Sequence, residues 1–179
     1  MLKADNTALV IVDVQGKLAQ IMDQKDALFS NLEAIVRGAK ILELPIVWVE
    51  QIPDKLGPTI PQIADQLHDH QPIAKNSFSC YKSSAFVEAL AETHCQNVIV
   101  VGIEAHICVY QTVLEMLSAG FHVEVITDAV SSRDPQNKQV ALNKLQHAGA
   151  ELSCTEMVLF ELQEIAEGER FKQILSIIK

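Results

Sequence analysis

Short apolar runs alternate with amphipathic stretches from one end of the chain to the other. Ala8-Leu9-Val10-Ile11-Val12, closed by Asp13, reads as a first strand. Leu28, Leu32, Ile35, Val36 and Ala39 then recur at helical spacing up to Leu44-Pro45. A second strand is predicted over Ile46 to Glu50, and a loop with Pro53, Gly57, Pro58 and Pro61 leads to a short helix near Ile63 to Leu67. The third strand is Pro72 to Lys75, followed by a helix from about Ser83 to Ala91. The fourth is Asn97 to Val101, ended by Gly102, and Val109, Val113, Met116 and Leu117 mark the helix after it. His122 to Thr127 is the fifth strand, and Ala141, Leu142, Leu145 and Ala148 mark its following helix. A sixth strand at Glu151 to Ser153 and a terminal helix at Phe171 to Ile178 complete the pattern.

Strands that are apolar throughout, rather than alternately apolar and polar, belong to a sheet covered on both faces. Strand-helix repetition points to a parallel, doubly wound α/β/α fold with right-handed crossovers, a Rossmann-like arrangement. No repeat or linker divides the chain, so one domain over residues 1–179 is expected, long enough to bury a core. Ligands of such sheets bind beyond the carboxyl ends of the strands. Asp13, Glu50, Lys75 and the turn from Gly102 to Cys108 all fall at those ends.

Composition narrows the function classes. With 49% hydrophobic and 21% charged residues the chain is not disordered, and no run approaches a membrane span. A net charge of −9 disfavours nucleic acid and anionic membrane surfaces as partners. The N-terminal Met1-Leu2-Lys3-Ala4-Asp5 has no leader-like apolar stretch, so a cytoplasmic location is expected. Cys80, Cys95, Cys108 and Cys154 form no CxxC pair and no zinc spacing, which fits reduced thiols. Gly16, Gly57, Gly102 and Gly120 are isolated, so neither a dinucleotide nor a phosphate-loop signature exists, and no cofactor is expected.

Cys108 is the leading chemical candidate, because it stands where a central strand turns into a helix. Unpaired amides and the positive end of the helix dipole there favour a thiolate. A nucleophilic thiol also needs a proton route and a place for the oxyanion. Asp13 is the candidate proton acceptor and Lys75 the charge that holds carboxylate and sulfur in register. Two plainer readings stand beside this one: an inert buried cysteine, and a structural Asp13–Lys75 ion pair. His106 lies too close along the turn to pair directly with Cys108 and suits a pocket or surface role. His68 and His70 sit in a polar connection, and Cys80, Cys95 and Cys154 read as packing residues.

Several stretches together resemble the isochorismatase-like cysteine hydrolases, particularly small isochorismatase-domain proteins of unassigned substrate. They are Ala8 through Gln15, Val49-Glu50-Gln51-Ile52-Pro53 with Leu56-Gly57, and Lys75-Asn76-Ser77-Phe78-Ser79. Val101 through Val109 with Gln111-Thr112, Thr127 through Arg133, and Phe160-Glu161-Leu162 with Phe171-Lys172 complete the match. The resemblance implies an Asp13, Lys75, Cys108 triad, a cis peptide at Ile103-Glu104, and an oxyanion hole from the amides of Glu104 and Cys108. It further implies a six-stranded parallel sheet in the order 3-2-1-4-5-6 and a homo-oligomer. Metal-dependent nicotinamidases of the superfamily carry histidines just after the second strand. Here that stretch is Glu50-Gln51-Ile52-Pro53-Asp54, so no catalytic metal is expected. Leu18 stands where the family often has an aromatic residue. Gln15, Leu18, Phe78, Ile103 and Tyr110 are the expected substrate-binding residues. Isochorismate hydrolysis itself cleaves a vinyl ether and requires no acyl-enzyme. A retained Cys108 therefore points to an amide, imide or carbamoyl bond of a small molecule, cleaved through a thioester. The alternatives are a non-catalytic oligomeric binding or scaffold protein and a thiol redox sensor, the latter disfavoured by the lack of a resolving cysteine nearby in sequence.

Overall fold

The computed structural model describes residues 1–178. Its core is a six-stranded, all-parallel sheet in the order β3-β2-β1-β4-β5-β6. The strands are β1 (Thr7–Val12), β2 (Ile46–Gln51), β3 (Ile73–Lys75), β4 (Asn97–Ile103), β5 (His122–Ser131) and β6 (Glu151–Ser153). Every residue of β1 is buried, as the uninterrupted apolar run requires of a central strand covered on both faces. On one face pack α2 (Lys25–Ile41), α8 (Thr155–Gln163) and α9 (Gly168–Ile178), around Leu9, Ile11, Leu32, Ile35, Leu159 and Ile174. The other face is covered by α5 (Ser84–Glu92), α6 (Tyr110–Ser118) and α7 (Pro135–His147), around Val10, Val100, Phe86, Val113, Met116 and Leu145. Among the described residues no helix is long and apolar enough to cross a membrane.

Local chemistry accounts for most helix starts. Ser83 caps α5 by accepting from Phe86 N, and Asp134 caps α7 by accepting from Gln136 N, with Pro135 at the first helical position. The cap of α8 is not local. Asp128 Oδ1, on β5, accepts both Thr155 N and Thr155 Oγ1 at 2.9 Å. A helix capped from 27 residues away leaves no signal beside itself in sequence, and none was expected there. α9 begins at Gly168, three residues before the expected start. Three one-turn helices, α1 (Gly16–Gln20), α3 (Pro53–Leu56) and α4 (Pro61–Ala64), line the loops after β1 and β2.

Two strands run past their expected ends. β4 passes through Gly102 to Ile103, and β5 continues to Ser131 across a register shift, pairing Gly102 with Val130 and Ile103 with Ser131. Gly102 therefore does not end its strand; it lets the strand lie closer to β1. Its φ is +120°, and a Cβ there would stand 2.1 Å from Val12 O. Only glycine fits. That close approach sets the end of β1 against the end of β4, directly beneath Asp13 and Cys108.

Candidate active site

Asp13 leaves β1 in the left-handed region, at φ +51°, and Ile52 leaves β2 likewise, at φ +37°. Such backbone is costly for residues other than glycine, and most of all for β-branched isoleucine. Gln15 holds the geometry. Its Oε1 accepts Gln51 N at 2.6 Å, while its Nε2 donates to Gln51 O at 3.1 Å and Gly57 O at 2.7 Å. Gln15 is thus fully buried with both ends of its amide occupied, and it does not line the cavity as expected.

Lys75, at the end of β3, reaches across β2 to Asp13. Its Nζ donates to Asp13 Oδ2 at 2.7 Å, Gln51 Oε1 at 2.6 Å, Ser77 O at 3.0 Å and Phe78 O at 3.1 Å. The side chains of Lys75 and Asp13 are 0% and 3% exposed, so this is a desolvated pair rather than a rim contact. Gln51 is the residue that sequence reasoning passed over. Its Oε1 accepts from Lys75 and also lies 3.7 Å from Cys108 Sγ, tying ammonium and sulfur together. Side chains alternate along β2, so Gln51 faces the site. Its neighbour Glu50 faces the other way, accepting Thr59 N and Thr59 Oγ1 at 2.7 and 2.8 Å.

Cys108 is the fourth residue of a helical stretch that opens as a π-turn over Ala105–Val109 and continues as α6. At that depth helix geometry leaves an amide without an intrahelical acceptor. Ile107 N and Val109 N both donate to Glu104 O, at 3.0 and 3.3 Å, folding the turn around the Cys108 amide. The Ile103–Glu104 peptide is cis. Glu104 turns its side chain away from the cavity's centre, and its carboxylate accepts Arg133 N at 3.0 Å and Arg133 Nε at 3.2 Å. His106 Nδ1 pairs with Ser132 Oγ at 2.9 Å, away from the thiol.

The surroundings of the sulfur oppose the thiolate expected from its place at a helix start. Burial pushes the Cys108 thiol well above its ordinary range, and the neighbouring Asp13 carboxylate pushes it further, against the partial pull of Lys75. Burial also raises Asp13, with Lys75 opposing. A helix terminus stabilises a thiolate only where the thiol keeps some solvation, and here desolvation wins. Burial thus works against charge on both groups, with Lys75 Nζ, 2.7 Å from Asp13 Oδ2, as the cation opposing it. Asp13 Oδ1 has no hydrogen-bond partner among the described residues. Cys80 packs in the core as expected, and burial pushes its thiol up to about 12, with Lys75 and Asp13 near enough to act on it.

Sulfur and carboxylate open onto a cavity of about 280 Å³. Leu18, Ile52, Leu56, Phe78, Ile103 and Ile107 supply apolar wall, and Lys55 is a cation in its lining. Of the five expected substrate-binding residues, Leu18, Phe78 and Ile103 line this cavity. Tyr110 does not; its ring lies under Lys144 Nζ, 5.1 Å from the centroid, in a separate hollow. One residue beyond the buried Val109, a rotation of about 100°, carries it round to the α7 side.

Comparison with known proteins shows what the chain as a whole is similar to. Residues 7–157 match the family model described as the isochorismatase domain. The chain is 33% identical over 178 residues to isochorismatase domain-containing protein 2 of Danio rerio, covering 99% of this chain and 89% of that one. A solved structure described as MAR1 ribonuclease from Caenorhabditis elegans superposes with a TM-score of 0.92 at 33% identity, covering 99% of this chain and 91% of that one. YcaC from Pseudomonas aeruginosa, solved with hexane-2,5-diol and covalent acrylamide, superposes at 0.93 with 26% identity, covering 98% and 90%.

Proposed function

This chain belongs to the isochorismatase family, and we propose that it is a hydrolase using Cys108 as nucleophile on a C–N bond of a small neutral molecule. The observation that carries the reading is Asp13 Oδ1, without a partner among the described residues and sharing one cavity with Cys108, while its twin Oδ2 is held by Lys75. A desolvated carboxylate whose proton affinity is raised can take a proton and return it.

The steps follow from that arrangement. Asp13 Oδ1 accepts the Sγ proton as sulfur attacks the carbonyl carbon, and Lys75 compensates the charge that remains. The amides of Glu104 and Cys108 are the proposed donors to the tetrahedral oxyanion. Asp13 then delivers its proton to the leaving nitrogen, which departs as an amine or ammonia and leaves a thioester on Cys108. Water enters, Asp13 accepts its proton, and collapse of the second tetrahedral intermediate releases the acid and restores the thiol. No step requires a metal ion. The apolar wall fits a substrate with a short hydrocarbon portion next to the reacting carbonyl. The acrylamide adduct of the YcaC relative supports an electrophile-accepting site in this fold. The relative described as a ribonuclease suggests RNA, but a net charge of −9 and a small apolar cavity oppose a polyanion.

The test is a panel of small amides, imides and carbamoyl compounds, with intact mass of the protein during turnover. The expected result is an acyl mass mapped to Cys108 and a loss of turnover of at least roughly a thousandfold in Cys108→Ala. Full turnover in Cys108→Ala, or RNA cleavage with no amide turned over, replaces this reading.

A further inference from the structure

At the opposite end of the sheet, far along the strands from Cys108, three ligand-type side chains converge. His122 opens β5, Glu124 follows two residues later on the same face, and Glu151 opens the edge strand β6. Glu124 and Glu151 are register partners, so parallel pairing sets two carboxylates side by side, where like charges repel. One ligand atom from each of the three residues lies within 4.8 Å of the others, and His122 Nε2 is 3.7 Å from Glu151 Oε2. Glu124 is only 4% exposed, and its Oε2 has no hydrogen-bond partner among the described residues. Buried carboxylate oxygens are normally paired, and this orphan belongs to the one buried member of a converging set.

We infer that His122, Glu124 and Glu151 form a binding site for a first-row divalent cation of the zinc type. An imidazole with two carboxylates selects such ions over magnesium and calcium, which prefer all-oxygen shells. A tetrahedral ion with ligands at about 2.0–2.1 Å brings its ligand atoms to roughly 3.4 Å of one another. His122 and Glu151 are part-exposed and free to rotate by the ångström or so that closure needs, whereas Glu124 is held in the sheet. Water completes the shell on the exposed side of the edge strand. The ion would replace a repulsion between β5 and β6 with a shared ligand, tying the edge strand down. Glu161 of α8 and the amino group of Met1 act on the same region, and the amino group is the cation that competes for it. The site is separate from the proposed catalytic cavity and stands whether or not that reading holds.

The test uses the full chain stripped with EDTA and titrated with Zn²⁺ or Mg²⁺, read by calorimetry and thermal unfolding, with Co²⁺ as a spectroscopic probe. One Zn²⁺ per chain is expected, with a raised unfolding temperature and no response to Mg²⁺. Glu124→Gln, close to isosteric, and His122→Gln, on the surface, should each weaken Zn²⁺ binding at least roughly tenfold. The Co²⁺ spectrum should lack the charge-transfer band of sulfur ligation, which separates this site from the cysteines. Equal Zn²⁺ affinity in wild type and both variants, a thiolate band with Co²⁺, or no Zn²⁺ bound at millimolar concentration overturns the assignment. His122→Gln decides the matter if Glu124→Gln does not fold.

Discussion

At the carboxyl end of the sheet Asp13 is buried against Lys75 Nζ at 2.7 Å, and at the amino end Glu124 is buried beside Glu151 with one oxygen unpaired. Both carboxylates bear the cost of desolvation, and both titrate above their ordinary range. The difference is the neighbour. Asp13 has the Lys75 ammonium, itself held by three further acceptors, and that charge opposes the desolvation. Glu124 has two other carboxylates acting on it, which add to burial and push it up to about 7. A sheet of this kind can thus hold two buried carboxylates whose surroundings differ chiefly in the sign of the neighbouring charges.

The largest way to break that contrast is to make the carboxyl end resemble the amino end. Lys75→Met leaves Asp13 buried and unpaired and should cost about 3–5 kcal/mol in urea unfolding. Adding Asp13→Asn should return much of that loss without returning activity. If the single change costs nothing, the pair is not desolvated as described. Next is Gly102→Ala, which drives a Cβ to within 2.1 Å of Val12 O and should destabilise by at least about 1–3 kcal/mol. A variant as stable as wild type would mean that β1 and β4 can separate beneath the site.

Smaller, and opposite in sign, is the expected effect of Glu124→Gln in the presence of EDTA. The native state holds the Glu124 proton more tightly than the unfolded chain does, since the native group titrates at about 7 against an ordinary 4.5. Stability should therefore fall as pH rises from 4.5 through 7, by up to one proton's slope. Glu124→Gln removes that decline, so its unfolding temperature should exceed wild type at pH 8 and approach it at pH 4.5. A parallel shift at both pH values would show that Glu124 stays ionised throughout. The smallest expected effect is Tyr110→Ala, which should leave turnover of a confirmed substrate within about twofold, because its ring packs under Lys144 outside the cavity.

Much of this was legible along the chain. Asp13, Lys75 and Cys108 stand at the ends of three apolar runs, and a doubly wound sheet gathers strand ends on one side. Gln51 was not legible as a site residue, because Glu50 beside it is the more conspicuous group. Only the register of β2 decides which of the two faces Lys75. Gln15 was misplaced for the opposite reason: its amide is spent on the backbone of Gln51 and Gly57, a contact made across 36 and 42 residues. The α8 helix escaped notice because its capping carboxylate, Asp128, belongs to another strand.

The pattern of apolar runs by itself determined that six strands alternate with helices in one parallel, two-sided sheet, since period and run length are local properties of a chain. The upward push on the Cys108 thiol was decided by the tertiary structure alone. Desolvation and the distance to Asp13 outweigh the helix-terminus preference read from sequence, and neither quantity exists until the strand ends are brought together. The same holds for Glu124, an unremarkable acidic residue until β6 places Glu151 beside it.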